Sequence, residues 1–441
     1  MSGSYEIQAL KADGSLWVWG NNDWGQLGTN DKTNYSSPVL VVGNHSFLTA
    51  CTYDHGLARK EDGSIWSWGL NQYGALGNNT TTDTSSPVAV VGGHSFIEIG
   101  GAGGSHSIAR KADGSCWAWG EGGAGRLGLG YLTGHRSSPT LVIGNHSFVE
   151  ISVGYEFNIA RKADGSCWGW GDNTYGQVGD EAGTDRSSPT LVVGNHTFIQ
   201  VKCGRSHALA LKADGSCWAW GYGLYGQLST AFATSKSSPI LVIGNHSFVS
   251  IDAGRYFSFG RKADGSLWGW GYNSVGQLGD NTQTSQSSPV AVVGAHSFIE
   301  VQACQVYTVA RKADGSCWAW GSNSLGQLGT NDDVSYSSPV LVVGNHIFRS
   351  LNERKIGTVC WGHVDSVEEK YTELYAGNWA GDGDIIGSGN EEAIALDLGQ
   401  EMISEPWETG VRSILIEINK YRSSLKTPTI YYKTRDNEND F

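Results

Sequence analysis

Hydrophobic and polar positions alternate along this chain in short runs that recur in a fixed order. One set shows the scheme: "FVSIDAG" (Phe248 to Gly254), "YFSFGRK" (Tyr256 to Lys262), "SLWGWG" (Ser266 to Gly271) and "PVAVVG" (Pro289 to Gly294). Alternation with period two places successive side chains on opposite faces of a strand, so each set predicts four strands. The link between the second and third strands is "ADGS". Asp-Gly between alternating runs predicts a two-residue hairpin with both turn residues at positive φ. The proline opening the fourth strand suits a strand's first residue or a sheet edge.

The scheme repeats seven times. "DGS" begins at Asp13, Asp62, Asp113, Asp164, Asp214, Asp264 and Asp314, and each copy continues into a W-x-W-G unit. A loop close to "GQLG", the triplet "SSP", an apolar run and a segment close to "GNHSF" follow. A period near 50 residues with four short strands is the size of one β-propeller blade. The expected fold class is therefore all-β: a seven-bladed β-propeller with four-stranded blades. In the third strand the two tryptophans share one sheet face, and small residues such as Cys116 and Ala118 occupy the other. Large against small suits sheets stacked around a ring, so the 14 paired tryptophans, of 18 in the chain, are expected to pack blades together.

The repeats are out of phase with the termini. The chain starts in a second strand ("YEIQALK", Tyr5 to Lys11) and the repeats end in a lone first strand ("IFRSLNE", Ile347 to Glu353). The two are expected to pair in a composite closing blade, which leaves no open edge in the ring.

Composition narrows the function. The net charge is −13, with 17 acidic and 9 basic residues from Leu351 onward. An acidic chain without a clustered basic patch speaks against nucleic acid as a partner. No apolar run is long enough for a membrane span, and the start lacks the basic and apolar stretches of a secretory signal. Cys116, Cys167, Cys217 and Cys317 share a repeat position with Leu16, Ile65 and Leu267. They are read as small buried hydrophobes with free thiols, in keeping with synthesis in a reducing cytosol. No catalytic motif of nucleophile-elbow, zinc-protease or phosphate-loop type occurs, and no cofactor is expected.

The stretch "VKCGRSHALALKADGSCWAWGYGLYGQL" (Val201 to Leu228) resembles the regulator of chromosome condensation repeat family. The resemblance covers about residues 1–350 and implies a seven-bladed propeller. Such propellers serve as nucleotide-exchange factors, a plant ultraviolet receptor, enzyme inhibitors and effectors, so the fold alone fixes no function. The photoreceptor's Gly-Trp-Arg-His-Thr motif is absent, and so is the basic N-terminal tail of the founding exchange factor.

Function is sought where the copies differ. Strand direction puts the first-to-second turns and the third-to-fourth loops on one face, and these vary between copies. The opposite face repeats "KADGS" and "GNHSF" almost unchanged. A varied face on a constant scaffold is where a partner would be read. Tyr53, Asp54, His55, Tyr155, Glu156, Arg205, His207, Arg255, Tyr256 and Tyr307 are the candidate partner-binding residues, expected to cluster near the channel mouth. Simple drift in exposed turns is the competing explanation. On the constant face the lysine before each hairpin, Lys11 for example, is expected to balance its own aspartate on a solvated rim. The seven histidines of "GNHSF" are expected to be packing residues, because blades splay apart and cannot bring them to one metal.

After the repeats, residues 354–375 are expected to be a linker and 376–441 a small acidic β-sandwich-like domain. Strands are predicted at "EAIALDLG" (Glu392 to Gly399), "VRSILIEIN" (Val411 to Asn419) and "PTIYYKT" (Pro428 to Thr434). The last segment loosely resembles β-sandwich modules of phage virion proteins, which carry an "IYYRT" strand. Asp382, Asp384 and Asn390 form a candidate calcium site, although a plain acidic loop is the preferred reading. From these signs the sequence suggests a non-enzymatic structural or binding protein: a phage tail, fibre or surface component, synthesised in the cytoplasm, presenting its variable loops to a protein or surface glycan. Assembly through the C-terminal domain is part of that expectation. The alternative is an intracellular regulator acting as guanine-nucleotide exchange factor for a small GTPase.

Overall fold

A computed structural model describes residues 6–52, 54–230, 234–344, 346–348 and 350–351, together with three short strands at 384–385, 413–417 and 429–433. The chain divides into two compact units, Met1–Gly357 and Thr358–Phe441.

The first unit is the seven-bladed propeller. Its fourth blade shows the pattern: strands Glu150–Val153, Phe157–Arg161, Cys167–Gly171 and Arg186–Leu191 lie side by side in that order, all antiparallel. The first strand of each blade is innermost, since it touches its equivalents in the neighbouring blades: Glu98–Gly103, Glu150–Val153, Gln200–Cys203 and Ser250–Ala253 follow one another around the axis. The closing blade is composite, as the repeat phase predicts. Ser350–Leu351 pairs with Glu6–Leu10, with Ala9 opposite Leu351, ahead of Leu16–Gly20 and Tyr35–Leu40.

The paired tryptophans divide their labour. The second of each pair, Trp19, Trp68, Trp119, Trp170, Trp220, Trp270 and Trp320, is fully buried between blades. Its indole N–H donates to a backbone carbonyl in the "GQLG" loop of the preceding blade, at 2.8–3.1 Å: Trp68 to Gln26, Trp119 to Ala75, Trp170 to Arg126 and so on around to Trp19 and Gln327. Burying an indole contributes roughly 4–6 kcal/mol from its area, and the satisfied N–H adds about 1 kcal/mol. The same loop explains its own glycine. A Cβ on Gly25 would lie 2.6 Å from Ser85 Cα of the next blade's "SSP" strand. The constancy of "GQLG" and "SSP" is thus a property of blade contact.

The inner strands carry a second set of ties that sequence reading did not anticipate. Glu98, Glu150 and Gln200 each accept the backbone N–H of the next inner strand, from Ile151, Val201 and Ile251 at 3.1–3.3 Å. Glu300 does the same for Leu351 at the ring closure. Arg110, Arg161 and Arg311 hold the three carboxylates of this set at 2.5–2.9 Å.

One local expectation needs correction and another needs detail. Among the seven Asp-Gly hairpins only the glycine takes positive φ, Gly14 at 79° for instance. The turn is closed by Gly14 N–H to the Lys11 carbonyl at 3.0 Å, the three-residue hairpin form. Asp13 keeps negative φ because its Oδ1 accepts the Ser15 N–H at 2.8 Å, and a left-handed L-residue would cost about 1–2 kcal/mol. After the serine hydrogen bonds, the hairpin lysines help to hold their aspartates below the usual carboxylate range, as expected, but they do so from a distance, because each ammonium sits over an indole. Lys11 Nζ sits 4.0 Å from the centroid of Trp17, and the other six lie 4.2–4.4 Å from the first tryptophan of their own pair. The "GNHSF" histidine packs against the same indole, at 4.3–4.7 Å between centroids. Every blade therefore ends on this face in a lysine–tryptophan–histidine stack.

Six of the seven described cysteines are buried. Burial pushes the thiols of Cys116 and Cys217 far up, as expected for packing residues. No helix among the described residues is long and apolar enough to cross a membrane.

In the second unit Ser413–Glu417 pairs antiparallel with Thr429–Lys433 on one side and Asp384–Ile385 on the other. The first two fall within predicted strands. The predicted strand at Glu392 to Gly399 lies outside the described residues. So do Asp382 and Asn390 of the candidate calcium site; of Asp384 the backbone alone is described.

Candidate functional site

The varied face is built on a collar of first-to-second turns around the channel mouth. Gly104 N–H donates to Tyr155 O at 3.2 Å, Tyr155 N–H to Arg205 O at 3.1 Å, and Arg255 N–H to Cys304 O at 3.0 Å. Backbone stitching between blades frees the side chains of these turns to differ.

The candidate residues separate into two groups. Tyr155, Glu156, Arg205, Arg255 and Tyr256 are half-buried on the collar. Arg205 lies over the Tyr155 ring at 4.1 Å, and Arg255 over Tyr256 at 5.1 Å. Glu156 reaches Arg126 at 3.2 Å. Burial raises the Tyr155 hydroxyl above its usual range; Arg205 opposes that shift, and Asp54 and Glu156 add to it.

Asp54, His55, His207 and Tyr307 are buried, which corrects the expectation that they meet a partner. His55, His207 and Tyr307 open the second strand of their blades and point into the next blade interface. His55 Nε2 meets Ser107 Oγ at 2.7 Å, and His207 Nε2 meets Ser258 Oγ at 3.0 Å. Tyr307 donates its hydroxyl to Glu6 O at 2.5 Å across the ring closure. Their kin His106, which the sequence reading left out, meets Asn158 at 2.9 Å. Burial pulls all three imidazoles down to about 3, so they are neutral at ordinary pH. They are packing groups. Tyr53 lies outside the described residues.

What the sequence reading missed is that four tyrosines of the third-to-fourth loops, Tyr175, Tyr222, Tyr225 and Tyr272, join the collar residue Tyr256 in one row. Tyr175, Tyr222, Tyr225, Tyr256 and Tyr272 form one contiguous cluster over the fourth, fifth and sixth blades. Centroid distances are 4.6 Å for Tyr175–Tyr222, 5.1 Å for Tyr225–Tyr256 and 4.8 Å for Tyr225–Tyr272. Beside them Leu224 is 43% exposed. Burial and the neighbouring phenols raise the Tyr222 hydroxyl above its usual range. The signal was available: aromatics at matching loop positions in successive copies, Tyr175 and Tyr225 before the "GQ" and Tyr222 and Tyr272 after the W-x-W-G.

Among the described residues no group of three histidine, cysteine or acidic side chains is placed to hold a metal. The geometry is a closed ring with one uniform face and one face on which a tyrosine cluster spans three blades.

The chain belongs to the regulator of chromosome condensation (RCC1) repeat family. The family's repeat matches at residues 13–58, 62–110, 113–161, 164–211, 214–260, 264–310 and 314–363. Relatives include the human E3 ubiquitin-protein ligase HERC2, 26% identical over 182 residues, which are 38% of this chain and 4% of the ligase. Human protein RCC2 is 26% identical over 41% of this chain and 26% of its own length. The ultraviolet-B receptor UVR8 of Arabidopsis thaliana is 29% identical over 40% of this chain and 30% of the receptor. This chain thus spans less than a third of each of these relatives. Among solved structures, Prp20p of Saccharomyces cerevisiae superposes with a TM-score of 0.69 at 20% identity, covering 77% of this chain and 88% of Prp20p. Human WBSCR16 gives 0.67 at 18% identity, over 75% and 94%. At that identity the likeness shows the fold.

These findings overturn the phage virion, tail-fibre and surface-assembly expectation, and the virion location with it. The relatives sharing the repeats are cellular proteins of animals and a plant. Near-uniform copies, which had suggested a virion protein, follow instead from blade contact, since each constant segment touches its neighbour.

Proposed function

We propose that this chain is a regulator whose propeller recognises a partner protein through the face carrying the tyrosine row. The observation that carries this reading is the asymmetry between the faces. Seven equivalent lysine–tryptophan–histidine stacks cover one side, while five tyrosines concentrate over three blades of the other. Tyrosine combines large contact area with a polar tip and is enriched at interface hot spots.

Prp20p is described by its binding to Gsp1p and histones, and yeast RCC1 (Prp20) is seen bound to Kap60. Together with the exchange factors that the family resemblance implies, this makes a small GTPase the first partner class to try. A nucleotide-release assay over a GTPase panel tests it, with Tyr225→Ala/Tyr256→Ala as the paired variant. Release accelerated by substoichiometric protein, and lost in the variant, supports the reading. Absence of acceleration across the panel removes the exchange activity. A photo-crosslinker at Leu224 that captures no protein removes the recognition reading as well.

A further inference from the structure

We propose that Arg205 and Arg255 receive the carboxylates of an acidic segment in the partner protein, with the tyrosine row holding that segment's apolar flanks. The inference rests on the recognition reading above and adds the chemistry of the partner.

Both arginines occupy the same turn position in consecutive blades, in "GRSH" and "GRYF". The two turns abut, since a Cβ on Gly204 would fall 2.4 Å from Gly254 O. Among the described residues, Arg110, Arg126, Arg161, Arg186 and Arg311 each hold a carboxylate within 3.2 Å, whereas Arg205 and Arg255 hold none. Arg255 Nε is buried without a hydrogen-bond partner. A buried donor left unmade costs free energy that a bound acceptor would return.

Glu156 reaches Arg126, and Asp252 accepts the Ala303 N–H. Asp54 is buried. Arg136 and Arg261 also hold no carboxylate, but Arg136 donates to the His135 carbonyl and Arg261 to Ser250 Oγ; Arg205 and Arg255 lie over tyrosine rings. Stacking on Tyr155 and Tyr256 holds each planar fork in place, which reduces the ordering cost of gripping a carboxylate. The adjoining stretch from Tyr222 to Thr230 carries no charge, so it suits the uncharged part of the ligand. An acidic peptide with apolar or aromatic neighbours satisfies both halves of the surface.

The test is a selection from a random peptide display library on the full chain, repeated on Arg205→Gln/Arg255→Gln. Unfolding temperature and tryptophan fluorescence verify that the variant folds. Asp and Glu should be enriched among wild-type binders next to apolar residues. Those peptides should bind the double variant at least about tenfold more weakly and lose affinity as salt rises. Arg205→Lys/Arg255→Lys should recover part of the binding, because charge remains without the fork. Neutral or basic binders that compete at the tyrosine row would overturn the acidic ligand while leaving the recognition face intact. Acidic binders indifferent to the double variant would also overturn it. A selection with no enrichment would count against the face itself.

Discussion

The indole N–H of Trp19 donates to the carbonyl of Gln327, 308 residues further along the chain, at 3.1 Å. The bond is the same clasp that ties every other blade to its predecessor, but here it joins the two ends of the repeat region. Beside it His346 packs on Trp17, and Tyr307 donates to the Glu6 carbonyl. Ring closure is therefore made by side-chain clasps as well as by the pairing of Ser350–Leu351 with the second strand.

Trp19→Phe should destabilise the propeller by about 1–3 kcal/mol, since it leaves the buried Gln327 carbonyl unpaired. Trp220→Phe removes an equivalent bond inside the ring, to Gln177. Urea unfolding should show similar losses for both, and limited proteolysis should cut the Trp19 variant sooner, because its lesion lies at the seam.

Gln8 is buried with neither amide atom hydrogen-bonded among the described residues. The equivalent positions in the other blades are Leu57, Ile108, Ile159, Leu209, Phe259 and Val309. Gln8→Leu should raise stability by about 1–3 kcal/mol. An unchanged or lower urea midpoint would refute this.

Ala295 takes φ 49°, where the corresponding residues are Asn44, Asn145, Asn195, Asn245 and Gly93. A left-handed alanine is strained by about 1–2 kcal/mol, and glycine relieves the strain at some cost in chain entropy. Ala295→Asn and Ala295→Gly should both raise the thermal midpoint, by about 0.5–1.5 kcal/mol in free energy.

The buried histidines give a pH signature. His55, His106 and His207 have native values near 3, below the ordinary 6.5. The unfolded chain then binds more protons below pH 6.5, so their contribution is complete above that value and falls away as pH drops toward 3. Glu98, pushed up to about 7 by burial, works in the opposite sense, so the clean measurement is a difference. Wild type should lose stability relative to His55→Gln/His207→Gln as pH falls through 6.5. Parallel profiles for the two proteins would contradict the neutral, buried state.

Most of the propeller was legible because a repeat states its own rules several times. Where Cys116, Leu16 and Ile65 alternate at one position, the position is core; where the repeats start out of phase, the ring closes by exchange. Burial at the turn–strand junction was not legible. His55 and His207 sit next to exposed, variable turn residues, and one residue of register separates a collar side chain from one in the blade interface. The tyrosine row was hidden for another reason. Tyr175, Tyr222, Tyr225, Tyr256 and Tyr272 come from four separate segments, and only ring geometry brings them into contact.

Each inter-blade clasp ends on a main-chain oxygen. The residue supplying that oxygen is glutamine in most copies, yet Ala75 and Arg126 serve equally well. A fastening of this kind is indifferent to the identity of its acceptor, so blades are interchangeable parts. Duplication, loss or exchange of whole copies would leave every indole clasp intact, and loop chemistry can be rewritten one blade at a time.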